Sequence, residues 1–243
     1  MSPPFDQVSK YLASVDDIER PEHLRDFVIE QLLGMGAQMV SYHHMPPIGA
    51  ADFTTSINVV AHGFPEDWVK KYTREELYTI DPIPKAALEG ANWFFWSEVD
   101  RVITLNRDNL RYLRLLEDAQ IGEGMAVPVF GPHARDGYVG IGFGSNPIPD
   151  KTSLDCMAMI AQSAHQHFCQ LIRSNTSELS PISPREHDVL YWVVRGKSNS
   201  VIADITGLSI HTVDTHLRKV FRKLDAHDRV TASLRAIAAG LVT

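Results

Sequence analysis

Residues 183–224 carry three helix signals in succession, and their caps leave little choice of fold. Ser183, Pro184 and Glu186 form a capping box with proline at the first helical position, ahead of the apolar stripe Val189, Leu190, Val193 and Val194. Gly196 supplies the stop. A second short helix is predicted from Ser198 to Thr206, ended by Gly207. Ser209 caps a third, in which Val213, Leu217, Val220, Phe221 and Leu224 recur at steps of three and four. At about 100° per residue these five share one face, which must pack against a core. Two short helices joined by a tight glycine-containing turn make a helix-turn-helix. A fourth helix, RVTASLRAIAAGLV, carries a small-residue apolar face.

The outer face of the third helix holds Thr212, Thr215, Lys219 and Arg222, flanked by His211 and Arg218. In a helix-turn-helix the second helix lies in the DNA major groove with its first turns against base edges. His211, Thr212 and Thr215 are placed there and can exchange hydrogen bonds with bases or phosphates. Lys219 and Arg222 lie further along, where cations neutralise phosphates; Arg218 and Lys197 are further candidates. Periodicity alone also allows a plain helical core with a solvated cationic face. The series of caps favours DNA.

The segment SNTSELSPI (174–182) is small, polar and broken by Pro181, which is linker composition. Domains are therefore expected at 1–173 and 183–243. The 243-residue chain carries a formal charge of −7, divided as −10 over residues 1–179 and +3 over 180–243. That split fits an anionic partner for the tail alone, although +3 is within ordinary variation. Cys156 and Cys169, thirteen residues apart, would be turned about 220° from each other on one helix, so free thiols are expected. No apolar run approaches the roughly 18 residues of a membrane span. The first residues lack a signal peptide's basic start and apolar stretch. A cytosolic protein with no membrane partner is expected.

Ahead of the linker, helices and strands mix. PEHLRDFVIEQLLGMG and RDNLRYLRLLEDAQIG read as helices, as does the stretch from Pro65 towards the pre-proline Asp81. AQMVSYHHM and TTSINVVAHGF read as strands, GMAVPVFGP and GYVGIGFGS as a hairpin around HARDG, and residues 150–173 as a long closing helix. The fold class predicted is α+β: an α-β-α sandwich around a mostly antiparallel sheet, followed by a small all-α domain.

The tail resembles the LuxR-type DNA-binding domain along its whole length. Pro184-Arg185-Glu186, Leu190, Gly196, Lys197-Ser198-Asn199, Ile202-Ala203, Ser209, Thr212-Val213, His216, Lys223-Leu224 and Arg229 carry the likeness. FPEDWVKKYTREELYTIDP with FFWSE, through Trp68, Tyr72, Asp81, Pro82 and Trp96 and with Gly124 and Pro128 downstream, resembles the acyl-homoserine-lactone-binding domain of quorum-sensing LuxR regulators.

That resemblance implies a ligand site. Trp68 would donate its N–H to a lactone carbonyl, Asp81 would accept an amide N–H, Trp96 would pack on the lactone ring and Tyr72 would lie along the ligand. From the residues alone, all four could instead be core, with Asp81 a turn residue. Phe64 and Gly142 stand where relatives have hydroxyls for the acyl carbonyl. Their replacement implies a bulky, branched or unusual acyl group beside Gly142, or other residues or water completing the site. The implied partners are a small-molecule autoinducer, duplex DNA with two-fold-related half-sites and a second copy of the chain, with RNA polymerase a further candidate. No cofactor, metal or catalytic residue is expected. A regulator answering to another molecule or to none, and an enzyme degrading the lactone, are the alternatives; no nucleophile or metal motif favours the enzyme.

Overall fold

The computed structural model describes residues 4–50, 58–90, 92–175 and 181–242. The chain divides into two compact units. The first ends at Ile172 and the second runs on from Arg173, with segments 46–50 and 132–135 grouped with the second.

The first unit is built on a five-stranded, wholly antiparallel sheet of order β2-β1-β5-β4-β3. The strands are β1 (Met39–Met45), β2 (Asn58–His62), β3 (Phe94–Phe95), β4 (Glu123–Val129) and β5 (Asp136–Gly144). Residues 54–57 of the expected second strand lie outside the described residues. β3 pairs only with Met125 and Ala126, so β4 is an edge beyond it, where Pro128 is tolerated.

Alternation gives the two sheet faces unequal bulk. One presents Val40, Met125, Val127, Val129, Val139, Ile141 and Phe143, packed against α1 (Pro4–Ser14), α2 (Pro21–Gly34) and α7 (Lys151–Asn175) through Tyr11, Leu24, Leu32, Met157 and Ile160. The other face is thin. It offers Met39, Ser41 and His43 from β1, Gly124 and Ala126 from β4, and Tyr138, Gly140 and Gly142 from β5. Over it lie α3 (Glu66–Arg74), α4 (Pro82–Glu89), α5 (Val99–Val102) and α6 (Arg107–Asp118), with Trp68, Ile83, Ala86, Trp96, Val99 and Tyr112 in the packed cluster.

Two local features depart from the sequence reading. The helix beginning after Pro65 ends at Arg74; Glu76 turns left-handed (φ 50°) and directs Leu77, 1% exposed, into the core. Pro65, expected near the helix start, is its N-cap. The short α4 was not expected, yet its start is simply explained: Asp81 accepts a 2.9 Å hydrogen bond from the Ile83 amide, and Pro82 occupies the first helical position.

The second unit holds α8 (Pro184–Val194), α9 (Asn199–Thr206), α10 (Ile210–Lys223) and α11 (Arg229–Ala238). Ser183, Ser198 and Ser209 cap the first three, and Gly207 takes the left-handed stop between α9 and α10 at φ 69°. Cys156 and Cys169 are both buried on α7, as thiols rather than a disulfide. Among the described residues no helix is long and apolar enough to cross a membrane.

Candidate functional site

The thin face of the sheet leaves a cavity of about 230 Å³ beneath α3, α4 and α6. Phe64, Trp68, Tyr72, Asp81 and Trp96 all line it, together with Ser41, His43, Tyr112 and Tyr138. Trp68 and Tyr72, one helical turn apart on α3, point the same way, with ring centroids 6.3 Å apart. Tyr112 reaches in from α6 and meets Tyr72 edge-on at 6.2 Å.

Glycines make the floor. A Cβ on Gly124 would fall 2.5 Å from the Trp96 ring, and one on Gly140 2.5 Å from the Tyr138 hydroxyl. Both aromatic side chains thus lie flat on bare backbone, where the Trp96 indole N–H donates to the Tyr138 hydroxyl at 3.1 Å. Gly142 corrects the sequence reading. It does not line the cavity, and the volume beside it is taken by Met39 Cε and the Trp96 ring, 2.9 and 3.1 Å from where its Cβ would sit. It opens no room for an acyl group, because its strand partner Met39 fills the gap.

The polar groups are few and partly committed. The Tyr72 hydroxyl donates to Asp81 at 3.0 Å, Tyr112 hydrogen-bonds the same carboxylate, and the Ile83 amide donates to its other oxygen. An ionised carboxylate has about four acceptor sites, so three partners leave about one. Burial, working against the hydrogen bonds from Ile83, Tyr112 and Tyr72, pushes the Asp81 carboxyl up to about 6. Trp68 is 7% exposed, and its indole N–H has no hydrogen-bond partner among the described residues. The Trp68 N–H and the remaining Asp81 acceptor site thus stand as a free donor and a free acceptor within a largely apolar wall.

Sequence reasoning missed Ser41, His43, Tyr112 and Tyr138. The signal for the first two and for Tyr138 was present in the alternation of MVSYHHM and YVGIGFG, where one side of β5 is Val, Ile and Phe and the other Tyr, Gly and Gly. Tyr112 carried no such mark, since a tyrosine on the apolar stripe of an amphipathic helix reads as core.

In the second unit, α10 buries Val213, Leu217 and Val220 and exposes His211, Thr215, Arg218, Lys219 and Arg222, with Thr212 half-buried. Lys197 is exposed just ahead of α9. Their commitments differ. The Thr212 hydroxyl shares a 2.8 Å hydrogen bond with the capping Ser209, and Thr215 donates to the His211 carbonyl at 2.9 Å. Arg218 pairs with Asp214 at 2.6 Å. Lys219 and Arg222 have no ion-pair partner among the described residues. Lys223, by contrast, is structural. Its ammonium lies 2.6 Å from Glu186, whose side chain is 5% exposed, and donates to the Pro181 carbonyl. Burial raises the Glu186 carboxyl, but Lys223 and the Ser183 cap outweigh it and hold the group at about 2.

A sheet sandwich enclosing a small-molecule cavity, joined to a capped helix-turn-helix with a cationic face, defines a ligand-responsive DNA-binding regulator. Residues 20–170 match the family described as the autoinducer binding domain, and residues 180–236 match bacterial regulatory proteins of the luxR family. The chain belongs to the LuxR family of regulators that carry an autoinducer-binding domain, and it is a regulator rather than an enzyme. It is 30% identical over 186 residues to the HTH-type quorum sensing-dependent transcriptional regulator RpaR of Rhodopseudomonas palustris, covering 75% of this chain and 74% of that one. The transcriptional activator AhyR of Aeromonas hydrophila is 23% identical over 243 residues, covering 98% and 92%. Among solved structures, Escherichia coli SdiA shares the fold with a TM-score of 0.76 at 20% identity, covering 98% of both chains. SdiA in complex with octanoyl-rac-glycerol gives 0.73 at 20% identity, covering 97% and 95%.

Proposed function

We propose that the cavity binds an acyl-homoserine lactone and that the chain acts in the cytosol as a homodimer on DNA with two-fold-related half-sites. The observation that carries this reading is the pair of uncommitted groups, the Trp68 N–H and one acceptor site on Asp81. A lactone carbonyl takes the donor and the adjacent amide N–H takes the acceptor. Trp96, lying flat on Gly124, gives the lactone ring a wall, and Tyr72 lines the path of the chain. The fold likeness to SdiA holding octanoyl-rac-glycerol supports an acyl chain as the apolar part.

Each methylene buried in the cavity contributes about 0.8 kcal/mol. A ligand that binds only the folded chain adds its free energy to the folded state, and so to the dimer that binds DNA. Pairing follows from the small size of α10: a single short helix reads few base pairs, and two half-sites multiply the discrimination. His211, Thr215, Lys219, Arg222 and Lys197 stand exposed for that contact, with Thr212 at the cap and Arg218 loosely tied to Asp214.

The test is fluorescence anisotropy of labelled inverted-repeat duplexes, selected with the full-length protein from a random pool, with and without octanoyl-homoserine lactone. Lactone should change the apparent affinity at least tenfold in one direction, with two chains bound per duplex. Binding indifferent to lactone would contradict the coupling, and one chain per duplex would contradict the dimer.

A further inference from the structure

One polar group in the cavity has no task in that reading. His43 on β1 lines the cavity at 4% exposure, between Val59 on β2 and Tyr138 on β5 in the strand register. Its ring lies 5.0 Å from the Tyr138 ring, and its Nδ1 is buried with no hydrogen-bond partner among the described residues. Burial pushes its pKa down to about 4, so at neutral pH the imidazole is uncharged and carries one donor and one acceptor. A leucine there would extend the apolar wall of Val59 and Val69 without an unpaired nitrogen.

The row of the sheet matters as well. Trp96 lies over Gly124 and Gly142, whose β1 partner is Met39. His43 is four residues further along β1, and Tyr138 stands between it and Trp96: the Tyr138 hydroxyl accepts from the Trp96 indole at 3.1 Å and its ring is 5.0 Å from that of His43. His43 is thus set off from Trp96 by one tyrosine side chain, and meets the acyl chain of a ligand whose lactone ring sits against Trp96.

We infer that His43 is a specificity-determining residue that hydrogen-bonds an oxygen substituent, a hydroxyl or keto group, on the outer half of the ligand's acyl chain. A hydroxyl suits it best, since it both donates and accepts and so satisfies either tautomer. This inference rests on the lactone reading above.

The experiment is calorimetric titration of the full-length protein with octanoyl-homoserine lactone and with a series carrying one hydroxyl at successive outer carbons. At least one hydroxylated member should bind about tenfold more tightly than the parent. His43→Leu should erase that preference, read as the ratio of hydroxylated to parent affinity in the same variant, and His43→Gln should retain part of it. In wild-type protein labelled with 15N-histidine, the His43 ring nitrogens should show a hydrogen-bond shift with the preferred hydroxylated ligand that the parent does not produce; this readout holds even if a variant folds poorly. Equal affinities across the series, or a preference that survives in His43→Leu, would overturn the role of His43 and leave the lactone reading intact. Failure of every member to bind would overturn both.

Discussion

The Tyr72 hydroxyl donates to Asp81 Oδ2 across 3.0 Å, while Asp81 Oδ1 accepts the amide of Ile83 at the start of α4. One carboxylate thus ties α3 to α4 and starts the second helix. It is also the cavity's ionisable acceptor.

That dual use has a pH signature. Burial raises the Asp81 carboxyl from 3.8 to about 6 in the folded chain, against the lowering effect of Ile83, Tyr112 and Tyr72. A raised folded value stabilises the protonated fold: the contribution is full below pH 3.8 and is lost as pH rises through about 6. Asp81→Asn should therefore flatten the dependence of melting temperature on pH between those values in the ligand-free protein. A ligand amide N–H favours the ionised form, so lactone affinity should fall about tenfold from pH 7.5 to pH 5 in calorimetric titration. Affinity independent of pH would show that Asp81 is not the acceptor.

Gly124 and Gly142 should respond unequally to alanine. At Gly124 the new Cβ meets the rigid Trp96 ring at 2.5 Å, whereas at Gly142 the nearest atom is the flexible end of Met39 at 2.9 Å. Gly124→Ala should displace Trp96 and reduce lactone affinity by at least tenfold. Gly142→Ala should change it by less than threefold. Equal effects would mean that Trp96 does not wall the ligand.

On α10 the cations should separate by role. Lys219→Ala and Arg222→Ala should weaken binding to all duplex sequences alike, each lowering the slope of log affinity against log salt by about 1. Arg218→Ala should have a smaller effect, because Asp214 already holds the side chain. Electrophoretic or anisotropy titrations over a range of salt read both quantities.

Lys223→Ala should act on stability instead. It leaves the Glu186 carboxylate buried without its cation, at a cost of about 3 kcal/mol in denaturant unfolding. Glu186, lowered from 4.5 to about 2, contributes stability that is present above pH 4.5 and lost as pH falls through about 2. Glu186→Gln should remove that acid dependence. A Lys223→Ala protein of full stability with impaired DNA binding would reverse the assignment.

The helix-turn-helix was legible almost residue by residue, because caps are local. Ser183, Ser198, Ser209 and Gly207 each act within four residues of themselves, and each sits where the sequence places it. The two-faced sheet was legible as a class of fold, since alternation in β1, β4 and β5 survives in any antiparallel arrangement. Trp68, Tyr72, Asp81 and Trp96 were named through family likeness, not periodicity. The rest depended on contacts between distant segments. Gly142 looked like open space until Met39, more than a hundred residues earlier, was paired beside it. Tyr112 joins Asp81 because α6 is held beside the turn ahead of α4, where Asn109 donates to the Ile80 carbonyl, and no local signal encodes that contact. α4 was missed because PIPKAALE is short and carries two prolines, which read as a breaker before its cap is seen.

The most direct test of the lactone-filled cavity is the melting temperature of the full-length protein with saturating octanoyl-homoserine lactone, compared between wild type and Trp68→Phe. The substitution keeps an aromatic wall and deletes the unpaired N–H. Lactone should raise the wild-type midpoint by several degrees, and the variant should need about tenfold more ligand for the same rise. A midpoint unmoved by lactone in the wild type, or identical dose curves for the two proteins, would contradict the account.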